Sequence, residues 1–385
     1  MKKILFNKVF ITGKEINYIQ KAINSEKICG DGNFTLRCNS LLEKYTGTSK
    51  ALLTTSCTHA LEMTALLCDI KENDEVIMPS YTFVSTANAF VLRGAKIVFV
   101  DIDPSTMNID VEKITAAITR KTKAIVCVHY ACVGCEMDEL QILTKKYGLT
   151  LIEDAAQGVM AFYKSRPLGT FGSLGCFSFH ETKNIHCGEG GALLINDQRL
   201  IDRAEIIREK GTNRRQFIKG KVCKYSWVGV GSSYLPSELN AAFLLAHLEQ
   251  AKKITQKRLH IWNAYYKSLL SFEKRRLLEL PKVPAHCAHN GHTFFIKLKD
   301  ASQRHALIKY LKNKGIASAF HYIPLHSALA GKKYGRFSGV DLYTTRESER
   351  LLRLPLYVEM TARDISYIVK NIGSFFNDKA SNSNF

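Results

Sequence analysis

Short apolar runs of strand length recur along this chain of 385 residues, and segments with a helical pattern lie between them. Near-continuous apolar strands that alternate with helices are typical of a parallel sheet covered on both faces, because neither face of such a sheet meets water. The pattern predicts the α/β class, with a mostly parallel central sheet flanked by helices. The predicted strands cover residues 75–78, 96–100, 124–128, 150–152, 175–179 and 192–195.

Helical periodicity predicts the main helices and the position of a domain boundary. Apolar residues at helical spacing predict helices at 110–119 and 138–147 and one long helix from 237 to about 267. Strand signals become sparser after it, so we predict a large domain over residues 1–250 and a smaller C-terminal α+β domain over 251–385. The smaller domain is predicted to contain a strand at 292–298, a helix at 302–313, a strand at 317–322 and a frayed polar tail from 377 to 385.

The net charge of +19 indicates either a nucleic-acid surface or attraction for a phosphorylated small molecule. Eight Lys or Arg residues lie between positions 203 and 224, but no recognition-helix or zinc-finger pattern surrounds them. We therefore predict no nucleic-acid partner. A solvated basic surface remains an alternative for this run.

The eleven cysteines are odd in number and irregularly spaced, which favours reduced thiols over a disulfide framework. No export signal is visible, and no apolar run approaches the ~20 residues that span a bilayer. We expect a soluble cytoplasmic protein without a membrane partner. Cys132 and Cys135 form a C-x-x-C pair near His129, but structural zinc usually needs four ligands, so we predict no metal site.

A carboxylate, an amide and an amine follow two of the predicted strands: Asp154 and Gln157 after the first, and Lys183 after the second. Open α/β sheets bind ligands at the carboxyl ends of their strands. Pyridoxal 5'-phosphate (PLP) needs a lysine for its aldehyde, an acidic partner for its ring nitrogen and a hydrogen-bonding neighbour for its ring hydroxyl. Alone, Asp154 reads as a helix N-cap and Lys183 as a solvated lysine; the combination favours PLP.

The cofactor phosphate and ring also need partners. Thr58 and His59 open a predicted helix whose N-terminus suits an anion, and the Ser178 hydroxyl is a further candidate. Ordinary capping of that helix by Ser56 or Thr58 is compatible with this role. Tyr81 or Phe83 would cover the ring, although core packing is the commoner role for either aromatic residue.

The chain resembles the DegT/DnrJ/EryC1/StrS family of PLP-dependent nucleotide-sugar aminotransferases over nearly its full length. The motifs that carry the resemblance are Cys29-Gly30-Asp31-Gly32, Pro79-Ser80-Tyr81-Thr82-Phe83, Val100-Asp101-Ile102-Asp103, Glu153-Asp154-Ala155-Ala156-Gln157, Ser178-Phe179-His180, Lys183-Asn184, Gly188-Glu189-Gly190-Gly191 and Leu354-Pro355-Leu356. The resemblance implies the aminotransferase fold type I and a homodimer with shared active sites.

The resemblance also implies residue roles. Lys183 would be the catalytic Schiff-base lysine, which argues against the family's dehydratases, where a histidine replaces it. Asp154 would contact the pyridine nitrogen, Gln157 the ring hydroxyl, and Phe83 the ring face. Phosphate ligands would be Thr58, His59 and Ser178. Ser233 stands where many members have an asparagine that reaches the partner subunit's cofactor phosphate.

Within the family, segments such as 78–94, 177–184 and 320–327 are most similar to the branch of enterobacterial common antigen biosynthesis. This implies amination of C4 of TDP-4-keto-6-deoxyglucose with glutamate as donor, giving TDP-4-amino-4,6-dideoxygalactose and 2-oxoglutarate. The predicted substrate-binding residues are Arg214 and Arg215, for the diphosphate, and His321. The alternatives are amination at C3, a GDP- or UDP-sugar substrate, and a non-enzymatic PLP-binding regulator.

Overall fold

A computed structural model describes residues 3–382, with side chains as far as residue 378. This part of the chain contains thirteen β-strands, which are β1 Lys50–Thr54, β2 Glu75–Pro79, β3 Lys96–Val100, β4 Thr122–Val128, β5 Thr150–Asp154, β6 Phe162–Tyr163, β7 Arg166–Pro167, β8 Leu174–Ser178, β9 Gly191–Ile195, β10 Cys287–Ala288, β11 Phe294–Lys297, β12 Gly335–Phe337 and β13 Leu351–Leu354.

Fourteen α-helices accompany these strands in the described residues. They are α1 Glu15–Asn24, α2 Asn33–Thr46, α3 Cys57–Leu67, α4 Val84–Val91, α5 Val111–Ala117, α6 Met137–Tyr147, α7 Ile201–Arg208, α8 Arg214–Ile218, α9 Glu238–Leu248, α10 Ala251–Lys274, α11 Ala301–Asn313, α12 Leu329–Tyr334, α13 Thr344–Arg350 and α14 Ala362–Asn382. None of the described helices combines the length and the apolar content needed to cross a bilayer.

Eight strands form the central sheet in the order β1-β9-β8-β5-β4-β2-β3-β12. The strands from β8 to β12 pair in parallel, whereas β9 runs antiparallel to both β8 and β1. The predicted α/β class and its six strands are confirmed as β2, β3, β4, β5, β8 and β9. Because β9 is reversed, its first residue lies at the sheet edge where the parallel strands end.

Apolar packing on both faces explains why the strands are almost continuously apolar. Val76 and Met78 of β2 belong to one core cluster, which also contains residues of α3 and α4. Ile77 between them belongs to a second cluster, on the other face, with residues of α5 and α6. Successive side chains of a strand point to opposite faces, so a strand covered on both sides must be apolar at every position.

The C-terminal part has a separate core around the antiparallel pair β11 and β13, built from α10, α11 and α14. Ile4, from the start of the chain, also packs there. Conversely, β12 extends the central sheet and β10 pairs with β6. The division into domains at residue 250 therefore stays a prediction. Residues 377–382 of the predicted frayed tail are helical, and its last three residues lie outside the described part.

The prediction of one helix from 237 to about 267 was wrong, because the chain breaks between α9 and α10 at Glu249 and Gln250. Helix α9 is buried along most of its length and packs against α1 and α2. The Tyr45 hydroxyl donates to the Leu248 carbonyl, at 3.0 Å, which satisfies one acceptor at the end of α9. This tertiary contact is not visible in the local pattern.

The predicted strand at 317–322 was also wrong. Ile316 bridges to Ile4 and Ala319 bridges to Arg353, each as an isolated pair. The two partners belong to different segments, so no continuous ladder forms. The chain then leads His321 and Tyr322 to the carboxyl edge of the central sheet, where both line a cavity.

Candidate active site

A cavity of about 600 Å³ opens at the carboxyl edge of the central sheet. Its lining includes Asp154 at the end of β5, Ser178 at the end of β8, and Gln157 and Lys183 in the loops that follow these strands. The sheet topology thus brings together residues that are up to 29 positions apart in sequence. Glu189 and Gly190, which precede the reversed strand β9, complete this wall.

Asp154 is buried, and its carboxylate is oriented by two donors. The Thr86 hydroxyl donates to Oδ2 at 2.7 Å, and the Ala156 amide donates to Oδ1 at 3.1 Å. Thr86 is itself 2.8 Å from the Thr82 hydroxyl. No helix begins after Asp154, so the alternative reading of this residue as a helix N-cap was wrong.

The side-chain amide of Gln157 is oriented through a hydrogen bond to its oxygen atom. Oε1 accepts a hydrogen bond from the Ala131 amide at 2.8 Å, so the Nε2 group is the donor, and it lies 3.2 Å from the Tyr322 hydroxyl. Asn290 fixes the backbone from Gln157 onwards by donating to the carbonyls of Gln157 and Val159, both at 2.7 Å. The side chain is therefore presented to the cavity as a hydrogen-bond donor.

Lys183 is half-buried, and its amine has no hydrogen-bond or ion-pair partner among the described residues. Burial lowers the pKa of Lys183 below its usual 10.5; Cys57 and Asp154 act against this shift, and the charge of Arg353 adds to it. A lower pKa means that more of the amine is neutral near neutral pH. Neutral amine is the form that attacks a carbonyl or accepts a proton.

The N-terminus of α3 provides an anion site at the cavity wall. The Ser56 hydroxyl caps the helix by accepting the His59 amide at 3.1 Å, while the amides of Cys57 and Thr58 have no acceptor within the described residues. Cys57 and Thr58 line the cavity together with Ser178. Free amides at a helix start favour a phosphate or carboxylate group.

The two candidate phosphate residues on α3 point in different directions. The Thr58 hydroxyl lies 2.7 Å from the Ser85 hydroxyl, and both residues line the cavity. The His59 ring instead contacts the Thr55 hydroxyl and packs edge-on against Tyr234, with ring centroids 5.1 Å apart. His59 is not part of the cavity lining, so its phosphate role stays a prediction.

The structure separates the two candidate stacking residues. Tyr81 is fully buried among Tyr130 and Tyr322, whereas Phe83 is 55% exposed and lines the cavity. The Phe83 ring lies 6.3 Å from that of Tyr322. Core packing is therefore the role of Tyr81, and Phe83 is the aromatic residue available to a ligand.

Substrate-side residues come from the C-terminal part of the chain. The predicted residue His321 lines the cavity; its Nδ1 is 2.9 Å from the Tyr130 hydroxyl, and its ring stacks on Tyr322. Sequence reasoning missed Tyr322 and Arg353, which also line the cavity. Arg353 donates to the Phe320 carbonyl at 2.9 Å. The one available signal, which was not used, is its position directly before the Leu354-Pro355-Leu356 motif.

The basic segment 203–224 is mostly neutralised within the chain. Arg214 pairs with Glu209 at 2.7 Å, and Arg215 lies 3.8 Å from Glu205. Arg214, Arg215 and the exposed Ser233 lie outside the cavity lining. The predicted roles of these three residues in binding substrate or the partner's cofactor stay predictions.

The two cysteines of the C-x-x-C motif do not belong to one group of candidate metal ligands. Cys135 lies with His129 and Cys127, whose candidate ligand atoms are all within 4.8 Å of one another, and Cys132 is not in this group. His129 Nδ1 accepts the Cys135 amide at 3.2 Å, and Nε2 is 3.0 Å from the Glu153 carboxylate, so both ring nitrogens are engaged. All eleven cysteines are free thiols.

The fold and the cavity define an α/β enzyme whose site is centred on a lysine. The donor set suits PLP: a carboxylate for a ring nitrogen, an amide donor for a ring oxygen, a lysine amine, and free helix amides for a phosphate. The chain belongs to the DegT/DnrJ/EryC1/StrS aminotransferase family, whose sequence profile matches residues 10–373. The family is one of PLP-dependent aminotransferases.

Individual relatives cover almost the whole chain. An uncharacterised protein of Methanocaldococcus jannaschii is 34% identical over 370 residues, which are 93% of this chain and 94% of that protein. A family aminotransferase from Brucella abortus has a TM-score of 0.86 and 27% identity, covering 94% and 95% of the two chains. An aminotransferase from Psychrobacter cryohalolentis has a TM-score of 0.91 at 24% identity, covering 97% and 99%, and this likeness concerns the fold.

Proposed function

We propose that the protein transfers an amino group from glutamate to C4 of TDP-4-keto-6-deoxyglucose, giving TDP-4-amino-4,6-dideoxygalactose and 2-oxoglutarate in the cytoplasm. The observation that carries the proposal is that Lys183, Asp154 and Gln157 line one cavity. The choice of sugar and carbon rests on the motifs in segments 78–94, 177–184 and 320–327.

Each cavity residue has a proposed task in holding the cofactor. Asp154, oriented by Thr86, would pair with the ring nitrogen, and Gln157 would donate to the ring hydroxyl. The amides at the start of α3, Thr58 and Ser178 would hold the phosphate. Phe83 would cover the exposed ring face. When bound, PLP supplies an electron sink that makes the donor's Cα proton acidic.

Lys183 moves that proton in this proposal. Its amine accepts the proton from Cα of the donor and later returns a proton to the carbon that becomes C4 of the amino sugar. The lowered pKa of Lys183 keeps part of the amine neutral and ready to accept it. A base held beside the reacting carbon acts as an intramolecular group, which removes much of the entropic cost of the transfer.

We propose a homodimer with shared active sites. Segment 214–233 lies outside the cavity of its own chain and exposes apolar side chains, including Trp227 at 79% and Val230 at 66%. Exposed apolar groups of this size favour burial by a partner surface. Ser233 in this segment would then reach the partner's cofactor phosphate. Light scattering that gave a monomer at assay concentration would contradict the dimer.

The assignment is tested by incubating the protein with PLP, glutamate and TDP-4-keto-6-deoxyglucose and determining the product by NMR. We expect an axial amine at C4 and stoichiometric 2-oxoglutarate. Lys183→Ala should lower the rate by at least about a thousandfold, because nucleophile and base are lost together. Lys164→Ala removes an exposed lysine outside the cavity and serves as the matched control.

The alternatives give different products in the same assay. An amine at C3, or turnover only with a GDP- or UDP-sugar, would replace the proposed substrate while keeping the reaction class. Binding of PLP with no amino sugar from any of these substrates would indicate a regulator. Wild-type rates in Lys183→Ala would overturn the role of the lysine.

A further inference from the structure

A second cavity, of about 200 Å³, adjoins the first beside Lys183. The two cavities share five lining residues, namely Gln157, Thr182, Lys183, His321 and Arg353, so they are contiguous. The smaller one offers the space of roughly seven water molecules. It suits a short polar chain and is too small for a nucleotide sugar.

The smaller cavity is positively charged. Arg258, Arg353 and Lys183 line it, and its described lining contains no Asp or Glu. Burial lowers the pKa of His292, a further lining residue, well below 6.5, and Lys183 and Arg258 are among the cations that lower it further. The larger cavity, by contrast, includes the carboxylates of Asp154 and Glu189.

Arg258 is the least exposed of these cations, at 4%. Its Nε donates to the Gly291 carbonyl at 3.1 Å, and its Nη2 donates to the carbonyls of His292 and Leu356, at 2.7 and 3.2 Å. Nη1 has no hydrogen-bond partner among the described residues, and no described carboxylate forms an ion pair with the guanidinium. Another buried arginine, Arg208, is paired with Asp31 at 2.6 Å.

The guanidinium of Arg258 is a buried cation with no counter-ion among the described residues, so an anion that accepts from Nη1 in the cavity would offset part of its desolvation cost. The three carbonyl contacts hold the guanidinium rigidly, so little entropy would be lost when Nη1 donates to a bound anion. Arg353 lines both cavities and is a second guanidinium whose charge acts on Lys183. Two cations in one connected space match a ligand with two carboxylates.

We propose that the smaller cavity binds the distal carboxylate of a dicarboxylic amino donor through Nη1 of Arg258, while Arg353 binds the carboxylate next to the reacting carbon. The inference rests on the proposed aminotransferase function and makes Arg258 a specificity-determining residue. A monocarboxylic donor would satisfy Arg353 but leave Nη1 of Arg258 without an acceptor. Selectivity for the second carboxylate follows from that difference.

Binding of two unreactive acids to the PLP-loaded protein tests this selectivity by calorimetry. Glutarate carries both carboxylates, whereas pentanoate has the same carbon number and only one. We expect the wild-type protein to prefer glutarate by about tenfold or more, because a charge-assisted hydrogen bond to a buried guanidinium is lost with pentanoate. Equal affinities in the wild-type protein would overturn the proposal without any variant.

Arg258→Lys and Arg258→Gln should lower glutarate affinity to the level of pentanoate and leave pentanoate affinity unchanged. The matched control is Arg304→Gln, because Arg304 is also buried and donates to a backbone carbonyl, that of Ser348, but lies outside both cavities. Thermal unfolding identifies variants that do not fold, and for these the wild-type preference alone decides. Retained glutarate preference in a folded Arg258 variant would refute the role.

The binding test of Arg258 can fail independently of the test for C4 amination. Binding of glutarate requires no sugar and no turnover, so it can be lost while C4 amination with another amino donor persists. Conversely, absence of amino-sugar product leaves the preference for glutarate measurable. Steady-state kinetics add a check, since Arg258→Lys should raise KM for glutamate far more than it lowers kcat.

Discussion

At the scale of single residues, the site depends on side chains that orient other side chains. Asp154 and Gln157 face the cavity, but Thr86 and the Ala131 amide determine how they do so. The sequence predicted that Asp154 and Lys183 each follow an apolar strand. The supporting residues were not, because Thr86 precedes Asp154 by 68 positions and reaches it only through packing of α4 against the sheet.

Thr86→Val tests this support. The substitution keeps the side-chain shape and removes the hydroxyl that donates to Asp154, so the carboxylate loses one of its two donors. We expect PLP affinity or kcat to fall about tenfold, as for loss of a hydrogen bond to a charged group. Absorbance titration with PLP and steady-state kinetics measure the two quantities.

Thr64→Val is the matched control. Thr64 is also a fully buried helical threonine, but its hydroxyl donates to the Leu61 carbonyl of its own helix. Thr64→Val should leave PLP affinity unchanged. If Thr86→Val behaved in the same way, Asp154 would not depend on this hydrogen bond.

At the scale of elements, the close approach of β9 to α3 forms the proposed phosphate site. A Cβ at Gly191 would lie 2.3 Å from the carbonyl carbon of Ser56 and 2.4 Å from the Cys57 amide nitrogen. Only glycine lets the start of β9 approach the start of α3 this closely. The glycines of this loop and the helix that begins near Thr58 were both predicted from the sequence, but their close approach was not.

Gly191→Ala should push the N-terminus of α3 away from the sheet. We expect a loss of about 1–3 kcal/mol in the free energy of unfolding, as for overpacking, together with weaker binding of PLP. Urea unfolding and PLP titration measure both. In the control Gly229→Ala, the nearest atom is 3.9 Å from the new Cβ, so stability should be retained. Equal stability of the two variants would contradict the close-packing argument.

At the scale of the whole molecule, buried histidines connect the site loop to the helical layer. His186, three residues after Lys183, and His247 of α9 are 3% and 0% exposed, with ring centroids 4.2 Å apart. Burial lowers the pKa of each from 6.5 to about 4; His247 adds to the shift of His186, whereas Glu15 opposes that of His247. Both rings are therefore neutral in the folded protein near neutral pH.

This shift makes stability depend on pH. The folded pKa lies below the unfolded one, so the unfolded chain binds protons first as pH falls. Stability is fully present above about pH 6.5 and is lost towards about pH 4, by on the order of 1 kcal/mol per pH unit for each imidazole. Urea unfolding between these two pH values should show that the free energy of unfolding falls less steeply with pH in His186→Gln than in the wild-type protein. The exposed His260→Gln is the control, and an unchanged slope in His186→Gln would refute the assignment.

The sequence by itself determined the alternation of strands and helices, the α/β class, and the placement of Lys183, Asp154 and Gln157 after strands. These features depend on the period and composition of neighbouring residues, which are local properties. Only the tertiary structure decided the reversed strand β9, the break between α9 and α10, the bent path of 317–322, and the arrival of Arg258 and Arg353 at the cavity. These outcomes depend on contacts between distant segments, where packing and burial outweigh local preference.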